Sequence, residues 1–230
     1  MKSSARIMAE QGIAALVFDF RGHGASEGAL DGKQAEDTVD AWNALKQFPE
    51  VDEERMGIIG HSLGAMSAIM AAGKIESPKA LIALSCPPII DEEMFANAPK
   101  DFGQWGRRDN HIFEFPKHGA LPWMTGISAL LARLFMFATR RHVRVDVRRF
   151  IEGMIQMNMA DVLRGLDNCA KLFVFCEGDT VTPYQKSVLV YEAACEPKLK
   201  FLARGNHSTP IMRGNLRSQW TTWAVNALRD

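Results

Sequence analysis

The chain has 230 residues, 47% of them hydrophobic and 23% charged, enough to bury a sizeable core without help from a metal or disulfides. Its 27 basic and 27 acidic side chains cancel, which argues against a dedicated nucleic-acid-binding protein. The four cysteines, Cys86, Cys169, Cys176 and Cys195, show no CxxC pair or Cys/His ligand spacing and read as reduced thiols of a cytoplasmic protein.

The first ten residues, MKSSARIMAE, are too polar for a signal peptide. Short apolar runs then recur, each followed by a segment of helical period. The strands expected from them are Ala14 to Phe18, Met56 to Ile59, Ala80 to Leu84, Leu172 to Phe175 and Lys200 to Leu202. Ala35, Val39, Trp42 and Leu45 mark one face of a helix that opens after Asp31-Gly32 and ends before Pro49. Leu216, Trp220, Trp223 and Ala227 do the same near the C-terminus. Uninterrupted apolar strands alternating with helices predict an α/β fold with a mostly parallel sheet covered on both faces.

Between Pro87 and about Gly165 the alternation stops. No strand is evident there, and aromatic residues gather at Trp105, Phe113, Phe115, Trp123, Phe135 and Phe137. This stretch is expected to be an insertion, mainly helical after Ile127. Its apolar run Ile127 to Ala138 is interrupted by Arg133 and is shorter than the roughly 20 residues a membrane span requires.

Gly60-His61-Ser62-Leu63-Gly64 lies between a predicted strand and the helical run Ala65 to Ala72, the context of a nucleophile elbow. A serine at the tip of such a turn has a strained backbone, and larger flanking residues would collide across it. The helix that follows brings free N–H groups to the reacting carbonyl. A serine needs a base to take its proton and an acid to orient that base. Asp179, just after the strand ending at Phe175, and His207, just after the strand ending at Leu202, supply both in order, with Glu177 the alternative acid. Both lie at C-terminal strand ends, where open α/β sheets carry their ligands.

Together with Phe18-Asp19-Phe20-Arg21-Gly22-His23-Gly24-Ala25-Ser26-Glu27-Gly28, these motifs make the chain resemble the cap-bearing serine hydrolases of the α/β-hydrolase family: esterases, monoacylglycerol-lipase-like and serine aminopeptidase-like proteins. The resemblance implies a hydrolase core at 1–86 and 166–230 and a cap or lid at 87–165. It implies Ser62 as nucleophile, His207 as general base and acid, Asp179 as orienting carboxylate and the Leu63 N–H as one oxyanion donor, with no metal or organic cofactor. The family normally opens with strands ahead of this chain's first helix, one ending in a loop that supplies a second oxyanion N–H. A strand missing between Ala14–Phe18 and Met56–Ile59 leaves three expectations: a fragment, direct pairing across the gap, or a strand lent by another chain.

The other polar residues have ordinary roles at hand. His23 reads as part of a structural turn, and His61 should point away from the serine, to pack or hydrogen-bond. Arg140, Arg141, Arg144, Arg148 and Arg149 read as a solvated face paired with Asp146 and Glu152, or as a contact for an anionic substrate or lipid surface. Met124, Phe135, Met136, Met154, Met157 and Met159 could line an apolar pocket or pack a core.

The reading is a hydrolase of a carboxylic ester, thioester or small amide that works through an acyl-enzyme, with a small-molecule substrate and no nucleic-acid partner. The rival is a truncated, weak or inactive hydrolase-like protein retained for binding. A third reading is a membrane-surface lipase that uses Ile127 to Ala138 and the arginines after it.

Overall fold

A computed structural model of the chain describes residues 1–76, 78–89, 112–115 and 142–229. They fall in two compact units, one of Met1–Phe18, Thr38–Ile89 and Asn158–Asp230, the other of Asp19–Asp37 and Ile90–Met157. Among the described residues no helix is long and apolar enough to cross a membrane.

The first unit holds a four-stranded sheet of β1 (Gly57–His61), β2 (Ala80–Leu84), β5 (Ala170–Cys176) and β6 (Lys198–Ala203), in the spatial order β1-β2-β5-β6. Every pair is parallel, as the apolar runs predict, with Ile58 beside Leu81, Ile82 beside Leu172 and Val174 beside Phe201. The two central strands are buried almost throughout, because helices cover both faces. On one face α1 (Lys2–Ala9) and the C-terminal helix α8 (Gly214–Arg229) bring Met8, Leu216, Trp220, Ala224 and Leu228 onto Ile82, Leu84, Leu172 and Val174. Trp220 is fully buried, and its indole N–H donates to the Pro210 carbonyl at 2.8 Å, so its one polar atom is satisfied.

On the opposite face lie α3 (Leu63–Ala72), α5 (Met159–Arg164) and α6 (Tyr184–Ala193). Tyr191 and Tyr184 of α6 meet Phe173 and Phe175 edge to face, at centroid distances of 5.7 and 5.6 Å. The Lys171 ammonium is buried on this strand and donates to the carbonyls of Leu166 and Cys169 at 2.6 and 2.7 Å.

Two sequence expectations are corrected. Ala14 to Phe18 is not a strand: residues 13–20 carry no ladder, and Leu16, Val17 and Phe18 are each about 40% exposed. An apolar run becomes a strand only where a neighbour offers a complementary row of N–H and C=O groups, and β2 is β1's one partner among the described residues. Of the three outcomes left open, direct pairing across the gap does not occur among the described residues. The second correction concerns the insertion, which does contain strands. β3 (Ile112–Phe115) and β4 (Val143–Asp146) form an antiparallel pair in the second unit, with Glu114 opposite Arg144. The charged residues within these four-residue strands hid them from a search for apolar runs.

In the second unit β4 runs into α4 (Val147–Ile155), whose N-cap Asp146 accepts a hydrogen bond from the Arg149 N–H. Gly32 lies against Gly153 so closely that a Cβ on Gly32 would sit 2.6 Å from the Gly153 Cα. The turn at 21–24 is structural, as expected. The Arg21 guanidinium reaches Asp37 at 2.7 Å and Asp31 at 3.2 Å, and His23 forms an isolated bridge with Val143. Arg148 pairs with Glu152 at 2.9 Å and Arg149 with Asp146 at 3.6 Å, which is the solvated-face reading of those arginines, whereas Arg140 and Arg141 lie outside the described residues. Met154, Met157 and Met159 are buried, and Met124, Phe135 and Met136 lie outside the described residues, as do Ile127 to Ala138.

The first unit begins its third segment at Asn158, and residues 19–37 belong to the second unit. α2 (Gln34–Lys46) carries the expected face: Ala35 and Trp42 are buried, and Val39 and Leu45 are half-buried.

Candidate active site

The site is assembled in the first unit from the C-terminal ends of successive strands. β1 ends at His61, and the chain turns into α3 through Ser62, whose backbone angles of φ 56° and ψ −122° are sterically costly for a non-glycine residue. The Ser62 N–H is tied to the Leu84 carbonyl at 2.9 Å, at the end of the neighbouring strand. A side chain on Gly60 would drive its Cβ into the Gly64 carbonyl and within 2.5 Å of the Ala65 nitrogen, so the turn admits only glycine there. The Ser62 side chain does not cap α3. Leu63 opens the helix, and its N–H is the first of the donors that have no partner within the helix.

Next along the sheet, β2 is followed by Ser85, a second non-glycine residue at positive φ (44°), with its N–H on the Val174 carbonyl at 2.8 Å. The turns after β5 and β6 are laced together by Gly178 N–H to the Gly205 carbonyl, at 2.9 Å. That lacing brings Asp179 and His207 into contact. The His207 Nδ1 lies 2.9 Å from Asp179 Oδ2 and 3.2 Å from Oδ1. Asp179 Oδ1 accepts from the N–H groups of Val181 and Thr182 at 2.9 and 2.8 Å, and Oδ2 accepts from the Thr182 hydroxyl at 2.7 Å. The carboxylate side chain is 1% exposed and the imidazole 19%.

Burial by itself would raise the Asp179 pKa, but the Thr182 N–H, the Thr182 hydroxyl and His207 together outweigh it and hold the carboxyl below its ordinary range. An ionised carboxylate can only accept, so it takes the Nδ1–H of His207 and leaves Nε2 with a free lone pair, the tautomer of a general base. His61 sits beside this pair, its ring centroid 4.9 Å from that of His207, and its Nε2 lies 2.8 Å from the His207 carbonyl oxygen. Burial keeps His61 less basic than an ordinary histidine, so it serves as a neutral donor through Nε2.

Ser62, Asp179 and His207 thus lie after β1, β5 and β6 at one edge of the sheet, with Asp179 rather than Glu177 on the histidine; Glu177 is exposed. His61 makes the expected hydrogen bond, although sequence reasoning did not say with what. Thr182 and Ser85 were missed. Thr182, three residues after an aspartate in a turn, carries a detectable Asx-type signal. Ser85 carries none, because its role depends on a loop 122 residues away. Among the described residues no cluster of His, Cys, Asp and Glu has the form of a metal site. Cys86, Cys169 and Cys176 are free and buried, and Cys195 is free and half-buried.

A strained serine between a parallel strand and a helix, with a hydrogen-bonded histidine–aspartate pair after β5 and β6 at the same edge of the sheet, is the arrangement of the α/β hydrolases. The chain belongs to the alpha/beta hydrolase family, whose model matches residues 5–213. It is 38% identical over 106 residues to the thiohydrolase apmlB of Arthrinium phaeospermum, a match covering 44% of this chain and 32% of that protein. It is 24% identical over 223 residues to a thiohydrolase of Eupenicillium brefeldianum, covering 88% of this chain and 72% of the relative. Among solved structures, the alpha/beta hydrolase GrgF from Penicillium sp. sh18 superposes with a TM-score of 0.76 at 21% identity, over 99% of this chain and 83% of that one.

Proposed function

We propose that the protein is a serine hydrolase that transfers an acyl group from a small-molecule thioester or carboxylic ester to water. The observation that carries this reading is an elbow serine at the same sheet edge as a half-buried histidine held by a buried aspartate. Ser62 Oγ attacks the acyl carbon as His207 Nε2 takes its proton, and Asp179 holds the imidazole and stabilises the imidazolium. The developing oxyanion is met by the Leu63 N–H at the start of α3. When the carbon–sulfur or carbon–oxygen bond breaks, His207 returns the proton to the leaving thiol or alcohol. A water, deprotonated by the same histidine, then attacks the acyl-serine, which releases the carboxylic acid and frees Ser62. No cofactor takes part.

The two fungal relatives named thiohydrolases support the thioester member of this class. The cap that the family resemblance implies at 87–165 would be the place for acyl-chain selection. The protein is expected to act in the cytoplasm on a free small molecule.

The test is turnover of p-nitrophenyl esters and N-acetylcysteamine thioesters, C2 to C12, by the chain and by Ser62→Ala, with fluorophosphonate labelling in parallel. Turnover and labelling that both vanish in Ser62→Ala support the proposal. A folded wild-type chain that resists the probe and cleaves neither series would overturn it.

A further inference from the structure

The function of His61 and Ser85 follows from what they share. His61 Nε2 and Ser85 Oγ both point at one acceptor, the main-chain carbonyl of His207, at 2.8 and 3.0 Å. A carbonyl oxygen has two lone pairs, so these two donors saturate it. They come from different strands. His61 ends β1 and is covalently next to Ser62, whereas Ser85 follows β2 and is fully buried. The loop bearing His207 is thereby pinned to the strand end that carries the nucleophile and to its neighbour.

Ser85 is constrained on each side. Its N–H holds the Val174 carbonyl, and its own carbonyl lies 3.4 Å from the Thr182 hydroxyl that also serves Asp179. A positive φ at a buried serine is retained only where surrounding contacts over-determine it. His207 is thus held on two sides: its ring by Asp179, which Thr182 supports, and its backbone by His61 and Ser85.

We propose that His61 and Ser85 are positioning residues, which hold the imidazole of His207 in register with Ser62 by donating jointly to the His207 carbonyl. This deepens the hydrolase reading and rests on it. Neither residue touches the reacting atoms, so their loss should slow the chemical step and leave substrate binding nearly unchanged.

The experiment compares His61→Leu, which fills the space without a donor, His61→Gln, whose amide keeps an N–H at similar reach, and Ser85→Ala. Each is followed by kcat, KM, the pH profile of kcat/KM and the resonances of the His207 ring, assigned with His207→Gln. His61→Leu and Ser85→Ala are each expected to lower kcat about tenfold, with KM within about twofold, and His61→Gln to recover most of the loss. The His207 resonances should broaden in the two donor-less variants and sharpen again in His61→Gln. The proposal is overturned if His61→Gln is as impaired as His61→Leu, if KM rather than kcat changes, or if the His207 resonances are the same in all variants. A wild-type chain without Ser62-dependent turnover would remove the hydrolase reading instead, and the resonances would still decide whether the two donors hold the loop.

Discussion

Replacing Asp179 by asparagine swaps one carboxylate oxygen for NH₂ at nearly constant volume and tests the logic of the whole pair. In the native site the carboxylate accepts from four donors: the N–H groups of Val181 and Thr182, the Thr182 hydroxyl and His207 Nδ1. An asparagine can keep its carbonyl toward the two backbone N–H groups, which leaves its NH₂ facing Thr182 and His207. The hydroxyl can turn to accept. The imidazole can satisfy the amide only by moving its proton from Nδ1 to Nε2, and then Nε2 faces Ser62 with a hydrogen in place of a lone pair. Turnover should therefore fall about 10⁴-fold, the size of effect found when a triad histidine is held in the wrong tautomer. Stability should fall far less, by about 1 to 3 kcal/mol, since charge-assisted hydrogen bonds are weakened and none need be left open. Esterase or thioesterase kinetics with a thermal melt check both numbers, and Glu177→Gln, at an exposed carboxylate, is the control expected to stay within about twofold. An Asp179→Asn enzyme within tenfold of wild type, or a Glu177→Gln enzyme as impaired as it, would refute this account of the pair.

Gly60→Ala puts a methyl group into the Gly64 carbonyl, and it should cost about 3 kcal/mol or more and abolish labelling of Ser62; an alanine variant with an unchanged melting temperature would contradict the close approach. Burial raises the thiol pKa of Cys86, Cys169 (to about 11) and Cys176, so iodoacetamide at pH 8 should modify the half-buried Cys195 first and the other three only on unfolding, as mass spectrometry of the intact and denatured protein would show. His23 and His61 are both held by burial below their ordinary value of 6.5, so the unfolded chain binds more protons than the folded one as the pH drops through that range. Stability should be flat near pH 7 to 8 and decline below about 6.5, with a further loss below about 4 as Asp179, depressed from 3.8, is finally protonated. A melting temperature that rose between pH 7 and 5 would reverse that sign.

Local sequence carried the parts of this protein that local physics decides. The apolar runs around Ile58, Ile82, Val174 and Phe201 could satisfy their side chains only in a covered parallel sheet, and all four appear there. The elbow was equally legible, since only glycine at position 60 fits the turn and the strand and helix on either side are written in the apolar pattern. Asp179 and His207 were legible as residues after strands, because open α/β sheets gather their polar chemistry at that edge.

What the tertiary structure decided is what depends on partners distant in the chain. Ala14 to Phe18 has the composition of a strand and is not one, because a ladder is a property of two segments and residues 13–20 belong to none among the described residues. The charge of Lys171, which by composition alone belongs at the surface, lies buried on two carbonyls that only the fold brings to it. The sequence preferred Asp179 over Glu177 by its place after β5; how the turn holds Asp179 on His207 while Glu177 stays exposed is decided by the fold. The same holds for His61 and Ser85, whose common acceptor is 146 and 122 residues away, a proximity that no local pattern encodes and that four packed strand ends create.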